Sequence, residues 1–172
     1  MKMSKSILTL AVILGVSSVL PSCSNSQNSE TTSTTVDTNM GVEQISAITD
    51  GYLDIKDALV ATDGAAASNA AKQLLKHVDD GQDDLLQKIR IDVEHIAESI
   101  DTEHQREHFN TLSENIYTLV KAIGANESKL YRQYCPMAFE NEGAYWISAE
   151  KEINNPYFGD KMLHCGSVKE EL

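Results

Sequence analysis

Two short groupings, Cys135-Pro136-Met137 and Met162-Leu163-His164-Cys165, gather the residue types best suited to holding a soft ion. Thiolate, thioether and imidazole are the donors that Cu(I) prefers over carboxylates and carbonyls. Cys135 and Met137 stand two apart, so an extended segment would turn both toward one face. Met162 and Cys165 stand three apart, which one helical turn would bring to the same side, with His164 between them turned elsewhere. Both groupings fall within Tyr131–Gly166, which holds seven of the ten aromatic residues, two of the three cysteines and both prolines beyond the first 22 residues. A site of two to four soft donors would close across the 24 residues between Met137 and Met162, with Pro136 and the Asn155-Pro156-Tyr157 turn pre-setting the loop.

The same cysteines support a structural alternative. Two cysteines in an oxidising compartment are by default a disulfide. A Cys135–Cys165 bridge would close a loop of about 30 residues and contribute ~3 kcal/mol on the chain-entropy account. The methionines beside it would then be core filler. The residues alone leave bridge and metal site both open.

The compartment follows from the N-terminus. Lys2 and Lys5 precede the apolar run ILTLAVILGVSSVL, which is too short for a permanent membrane span and reads as a signal peptide over residues 1–22. Leu20-Pro21-Ser22-Cys23 resembles the lipobox of bacterial lipoproteins, with proline as a departure from its commonest pattern. The resemblance implies that Cys23 is lipidated and absent from thiol chemistry, so that the protein is anchored to a bacterial membrane with its domain outside the cytoplasm. The alternative is an ordinary secreted protein.

Removing residues 1–22 takes away two lysines and no acid, so 12 basic residues face 26 acidic ones, a formal net charge of −14. Such a field argues against nucleic acid and anionic membrane surfaces as partners and attracts cations.

The elements that must position the sulfur groups follow in order. Residues 23–40 are Ser/Thr-rich with few large apolar side chains and read as a disordered tether. In residues 41–172, Val42, Ile45, Ile48, Tyr52, Ile55 and Leu59 form one helical stripe, ended by Asp63-Gly64. A second helix covers AAASNAAKQLLKHV. A third starts near Asp83 with Leu85, Leu86, Ile89, Val93, Ile96 and Ile100 as its buried face. A fourth starts at a Thr102…Gln105 capping box and runs to Gly124. Short turns between these predict an antiparallel four-helix bundle. Residues 129–172 lose the helical period. Leu130-Tyr131 and Ala144–Ser148 read as short strands with a turn between them, so the fold class is mainly α with a small irregular/β C-terminal cap carrying the Cys/Met motifs.

His104-Gln105-Arg106-Glu107-His108 matches the H-x-x-E-H pattern of inverted zinc peptidases. So short a pattern arises by chance, and an exposed helix edge with local ion pairs is the simpler reading. His77 and His95 read as solvent-facing. With no nucleophile elbow, phosphate loop or cofactor fingerprint, the expectation is that the protein is not an enzyme.

The runs CPMAF, GAYWIS and INNPYFGDKMLHCG, with YLDIKDALVATD and QREHFNTLSENIYTL upstream, resemble the bacterial domain of unknown function 3347 family over nearly all of residues 41–172. Its members are envelope lipoproteins and appended domains of heavy-metal efflux membrane-fusion proteins. The resemblance implies copper or heavy-metal handling, with Cys135, Met137, Met162 and Cys165 as ligands and His164 as an addition. It also implies a heavy-metal efflux adaptor or metallochaperone as partner.

Overall fold

The computed structural model describes residues 41–78, 81, 83–123 and 129–172. The signal peptide, Cys23 and the 23–40 tether lie outside them, as does Gly124. The protein is mainly helical, with a small three-stranded antiparallel sheet at its C-terminal end. Four helices, α1 (Val42–Val60), α2 (Gly64–Leu74), α3 (Asp84–Glu98) and α4 (Thr102–Ile123), pack in succession, and α4 returns against α1. Among the described residues no helix is long and apolar enough to cross a membrane.

The 3.6-residue pattern explains the helical core. Ile45, Ile48, Tyr52, Ile55 and Leu59 of α1 meet Ile89, Val93 and Ile96 of α3 and Phe109, Leu112, Ile116 and Leu119 of α4 in one fully buried cluster. Two boundaries depart from the sequence reading. Ile100 is 73% exposed because α3 stops at Glu98 and the residue sits in the connection. The start of α4 is capped by Asp101, whose carboxylate accepts the Glu103 N–H at 3.0 Å. Gln105 is therefore free to turn inward, where its amide donates to the carbonyls of Gly64, Ile96 and Ser99. The end of α3 leaves the Ile96 and Ser99 carbonyls without helical partners, and a buried one must find a donor.

The cap is the sheet β2-β1-β3, with β1 (Tyr131–Cys135) central, β2 (Ala144–Ser148) and β3 (Ser167–Glu171). Tyr131 faces Ser148 on one side and Glu171 on the other. Between β1 and β2 lies a helical turn over Ala138–Asn141, in which Phe139, Glu140 and Asn141 all have positive φ. The third strand was not legible in Ser-Val-Lys-Glu-Glu, which lacks apolar alternation. It is an edge strand paired to β1 through the backbone, with Glu170 bonded to Lys121 and the Tyr117 hydroxyl at 2.8 Å each and Glu171 to Lys129 at 2.7 Å.

The cap docks on the bundle through buried polar ties around an aromatic cluster. Tyr52 stacks on Phe109 with ring centroids 5.0 Å apart, and Tyr157 packs against Phe109, Phe139 and Trp146. The Arg106 guanidinium, 6% exposed, donates to the carbonyls of Pro156 and Leu59 and to the Thr62 hydroxyl. Lys56, 1% exposed, reaches Glu150 at 3.0 Å and Asp57 at 2.7 Å. Gly159 (φ +54) allows a close approach to the bundle, since a Cβ there would lie 2.3 Å from Thr62 Oγ1.

Candidate metal sites

The cap brings two of the sequence-predicted residues together. Cys135, the last residue of the central strand, is fully buried, and its Sγ lies 2.9 Å from Sγ of the half-buried Cys165. Both are free thiols in contact. The Cys135 partner and burial push the Cys165 thiol up to about 11.

Asn155 holds the Cys165 side of this pair. It is completely buried. Its backbone N–H donates to Leu163 O at 2.8 Å, its side-chain amide donates to Cys165 O at 2.8 Å, and its side-chain oxygen accepts the Tyr157 N–H at 2.8 Å. The Asn-Pro-Tyr turn seen in the sequence is thus a clamp on the Met162–Cys165 loop. The Cys165 N–H bonds to Met162 O at 3.0 Å, closing that loop as a turn.

The remaining predicted donors are placed differently. Strand β1 ends at Cys135, so the two-residue alternation does not carry on to Met137, which enters the following turn with αR backbone and is 48% exposed. Met162 is half-buried, just after the 3-10 turn Gly159–Lys161. His164 is exposed, with Nδ1 held 2.8 Å from Ile153 O.

The H-x-x-E-H segment is not a plain exposed helix edge, because Gln105 and Arg106 are buried. Its two histidines belong to a group that local reading missed. The donor atoms of His95, His104 and His108 all lie within 4.8 Å of one another, and they form a group that could hold a metal ion. His104 and His108 are one turn apart on α4. His95 comes from α3, as does the buried Asp92, whose Oδ1 lies 3.2 Å from His108 Nδ1. Burial raises the Asp92 carboxyl above its ordinary range, partly offset by the bonds to His108 and Asn115. The rings of His95 and His108 stack at 4.1 Å, 4° from parallel.

The signal for this group was in the sequence. In an antiparallel helix pair, residues equally far from the turn face each other. Around the Ser99–Asp101 connection, Asp92 falls opposite His108, and His95 falls opposite Gln105, next to His104. Glu107 is not part of the group. It lines a separate cavity of about 250 Å³ together with Glu103, Arg106, Phe139 and Tyr157.

Residues 48–128 match the family described as "Protein of unknown function (DUF3347)", the family suggested by the sequence resemblance. No curated protein and no solved structure matches the chain. The matched residues include the histidine group and end before Tyr131, where the sulfur-bearing segment begins.

Proposed function

We propose that this chain, which carries the DUF3347 family domain over residues 48–128, is a lipid-anchored protein of the bacterial cell envelope that binds Cu(I). Its role on this reading is to buffer the ion or pass it to a heavy-metal efflux adaptor or metallochaperone. Cys135 and Cys165 are the primary ligands, with Met162 and Met137 completing a soft donor set and His164 available beside them. The observation that carries the reading is the 2.9 Å approach of two thiols that stand 30 residues apart in sequence.

The distances fit an ion site that opens slightly to load. With metal–sulfur bonds of ~2.3 Å, two thiolates on one tetrahedral ion stand roughly 3.8 Å apart. The sulfurs therefore separate by about 1 Å. Cys165, on a half-exposed loop, is the partner able to move. Met137, already at the surface, is a donor that an incoming ion meets first.

The same proximity supports a second reading, a disulfide-stapled module that binds a protein partner and no metal. Two thiols would then lose two protons and two electrons to a thiol oxidase or disulfide carrier of the envelope. No catalytic role is assigned on either reading.

Competition of the reduced domain with a chromogenic Cu(I) chelator tests the first reading. A stoichiometric ion held against the chelator and lost in Cys135→Ser is the expected result. Competition that survives Cys135→Ser combined with Met162→Leu sinks the proposal. Alkylation and mass analysis of protein taken from its own envelope tests the second reading, which requires the pair to be oxidised there.

A further inference from the structure

We propose that His95, His104 and His108 form a second metal site, selective for a borderline divalent ion of the Zn(II) or Cu(II) kind, with Asp92 as the positioning residue behind His108. It is independent of the sulfur pair, sharing no residue with it and lying on α3 and α4 rather than in the cap.

The donor set decides the class of ion. Three neutral imidazoles suit borderline first-row ions, whereas Mg²⁺ and Ca²⁺ want oxygen and Cu(I) is better served by the sulfurs. Three protein ligands leave a coordination position open for water or an exchanging partner. With metal–nitrogen bonds of ~2.0–2.1 Å, ligand nitrogens stand roughly 3.3 Å apart. The donor atoms, already within 4.8 Å of each other, must close by about 1.5 Å at most. His95 is exposed and His104 half-buried, so side-chain rotation supplies the movement without disturbing either helix.

Asp92 separates this group from a chance meeting of surface histidines. A carboxylate at His108 Nδ1 can only accept, so it fixes that nitrogen as the donor and leaves Nε2 with its lone pair for an ion. The second carboxylate oxygen is tied to the Asn115 amide at 3.5 Å. A ligand histidine braced by a buried carboxylate is the usual arrangement behind a bound metal. The stacked His95 and His108 rings set the two imidazoles side by side, one from α3 and one from α4.

The test uses Zn²⁺ alone, an ion without redox chemistry, on the Cys135→Ser/Cys165→Ser variant, so that neither the sulfur pair nor its oxidation can contribute. Calorimetric titration is expected to show one equivalent bound. Binding should be lost in His95→Ala/His104→Ala and weakened about 10- to 100-fold in Asp92→Asn. In nitrogen-detected NMR of the histidine rings, Zn²⁺ should shift His108 Nε2 while Nδ1 keeps its proton. The exposed and half-buried positions of His95 and His104 make the double variant safe for folding, which circular dichroism checks.

Absence of Zn²⁺ binding by the Cys135→Ser/Cys165→Ser protein, or binding that ignores the double histidine variant, overturns the proposal. Neither result bears on Cu(I) at the sulfur pair. Conversely, failure of the Cu(I) competition leaves this site standing.

Discussion

The phenol oxygen of Tyr52, deep in α1, accepts the backbone N–H of Ile147 in strand β2 at 3.0 Å. The same oxygen sits 2.8 Å from Ser113 Oγ. Because Ser113 gives its own proton to Phe109 O, Tyr52 must be the donor to Ser113. Burial pushes its ionisation far above the ordinary tyrosine range, so the proton stays on. One hydroxyl thus joins α1, α4 and the cap. Tyr52→Phe keeps the ring stack on Phe109 but leaves the Ile147 N–H buried without a partner, which costs about 1–3 kcal/mol. Urea denaturation should show a lower midpoint with an unchanged slope.

Asn155→Asp replaces the amide that holds Cys165 O by a carboxylate that faces a carbonyl oxygen at hydrogen-bond distance. The Met162–Cys165 loop loses its clamp. Stability should fall by about 2 kcal/mol, and Cu(I) competition should weaken more than in Asn154→Asp, whose side chain makes no such bond to Cys165. Equal effects of the two variants would count against a clamp.

Arg106→Lys keeps the charge and discards the fork. The guanidinium serves Pro156 O, Leu59 O and Thr62 Oγ1 at once, and an ammonium on a shorter, differently branched stem cannot reach all three. A loss of about 2–3 kcal/mol is expected from thermal or chemical unfolding. Arg90→Lys, which has an i,i+4 pair with Glu94 and a single bond to Val78 O, should cost less, about 1 kcal/mol or under.

Acid should loosen the cap before the helices. The Lys56 ammonium beside Glu150 holds its carboxyl below the usual value of 4.5. A depressed folded-state value means stabilisation present above the unfolded value and lost as pH falls through the folded one. Glu170, beside Lys121 and Tyr117, and Glu171, beside Lys129, shift in the same direction. Tryptophan fluorescence reports the cap, since Trp146 is the single tryptophan and lies in β2. Its emission should change as pH drops below about 4.5, ahead of the far-ultraviolet helical signal. Glu150→Gln should move that change to higher pH.

Cys165 should alkylate slowly at neutral pH. The thiolate is the reactive form, and a thiol pushed up to about 11 carries very little of it at pH 7. Iodoacetamide labelling followed by mass spectrometry should accelerate roughly tenfold per pH unit up to the thiol's own ionisation. Cys135→Ala removes the main cause of the shift and should speed labelling of Cys165 at pH 7.

The helices were legible because each buries one apolar stripe of regular period, and the stripes of α1, α3 and α4 supply the core nearly residue for residue. Ile100 misled because periodicity does not mark where a helix stops. Strand β3 was hidden because it is an edge strand paired to β1 through the backbone, with charged side chains in place of apolar alternation. The approach of Cys135 to Cys165 was open from composition, but Met137 was read onto a strand face that the turn at Pro136 ends. The histidine group was missed for another reason. Its members lie on two helices, and only the pairing of α3 with α4 around a short turn makes them neighbours.

The sheet order has a consequence for how the molecule is made. Strand β1, which ends in Cys135, lies between β2 and β3, and β3 follows every other described element in the chain. Contacts between neighbours in sequence bring α3 and α4 together, whereas the full sheet is complete only with Ser167–Glu171. The histidines therefore owe their proximity to a local helix pair, and Cys135 and Cys165 owe theirs to a pairing that spans 30 residues.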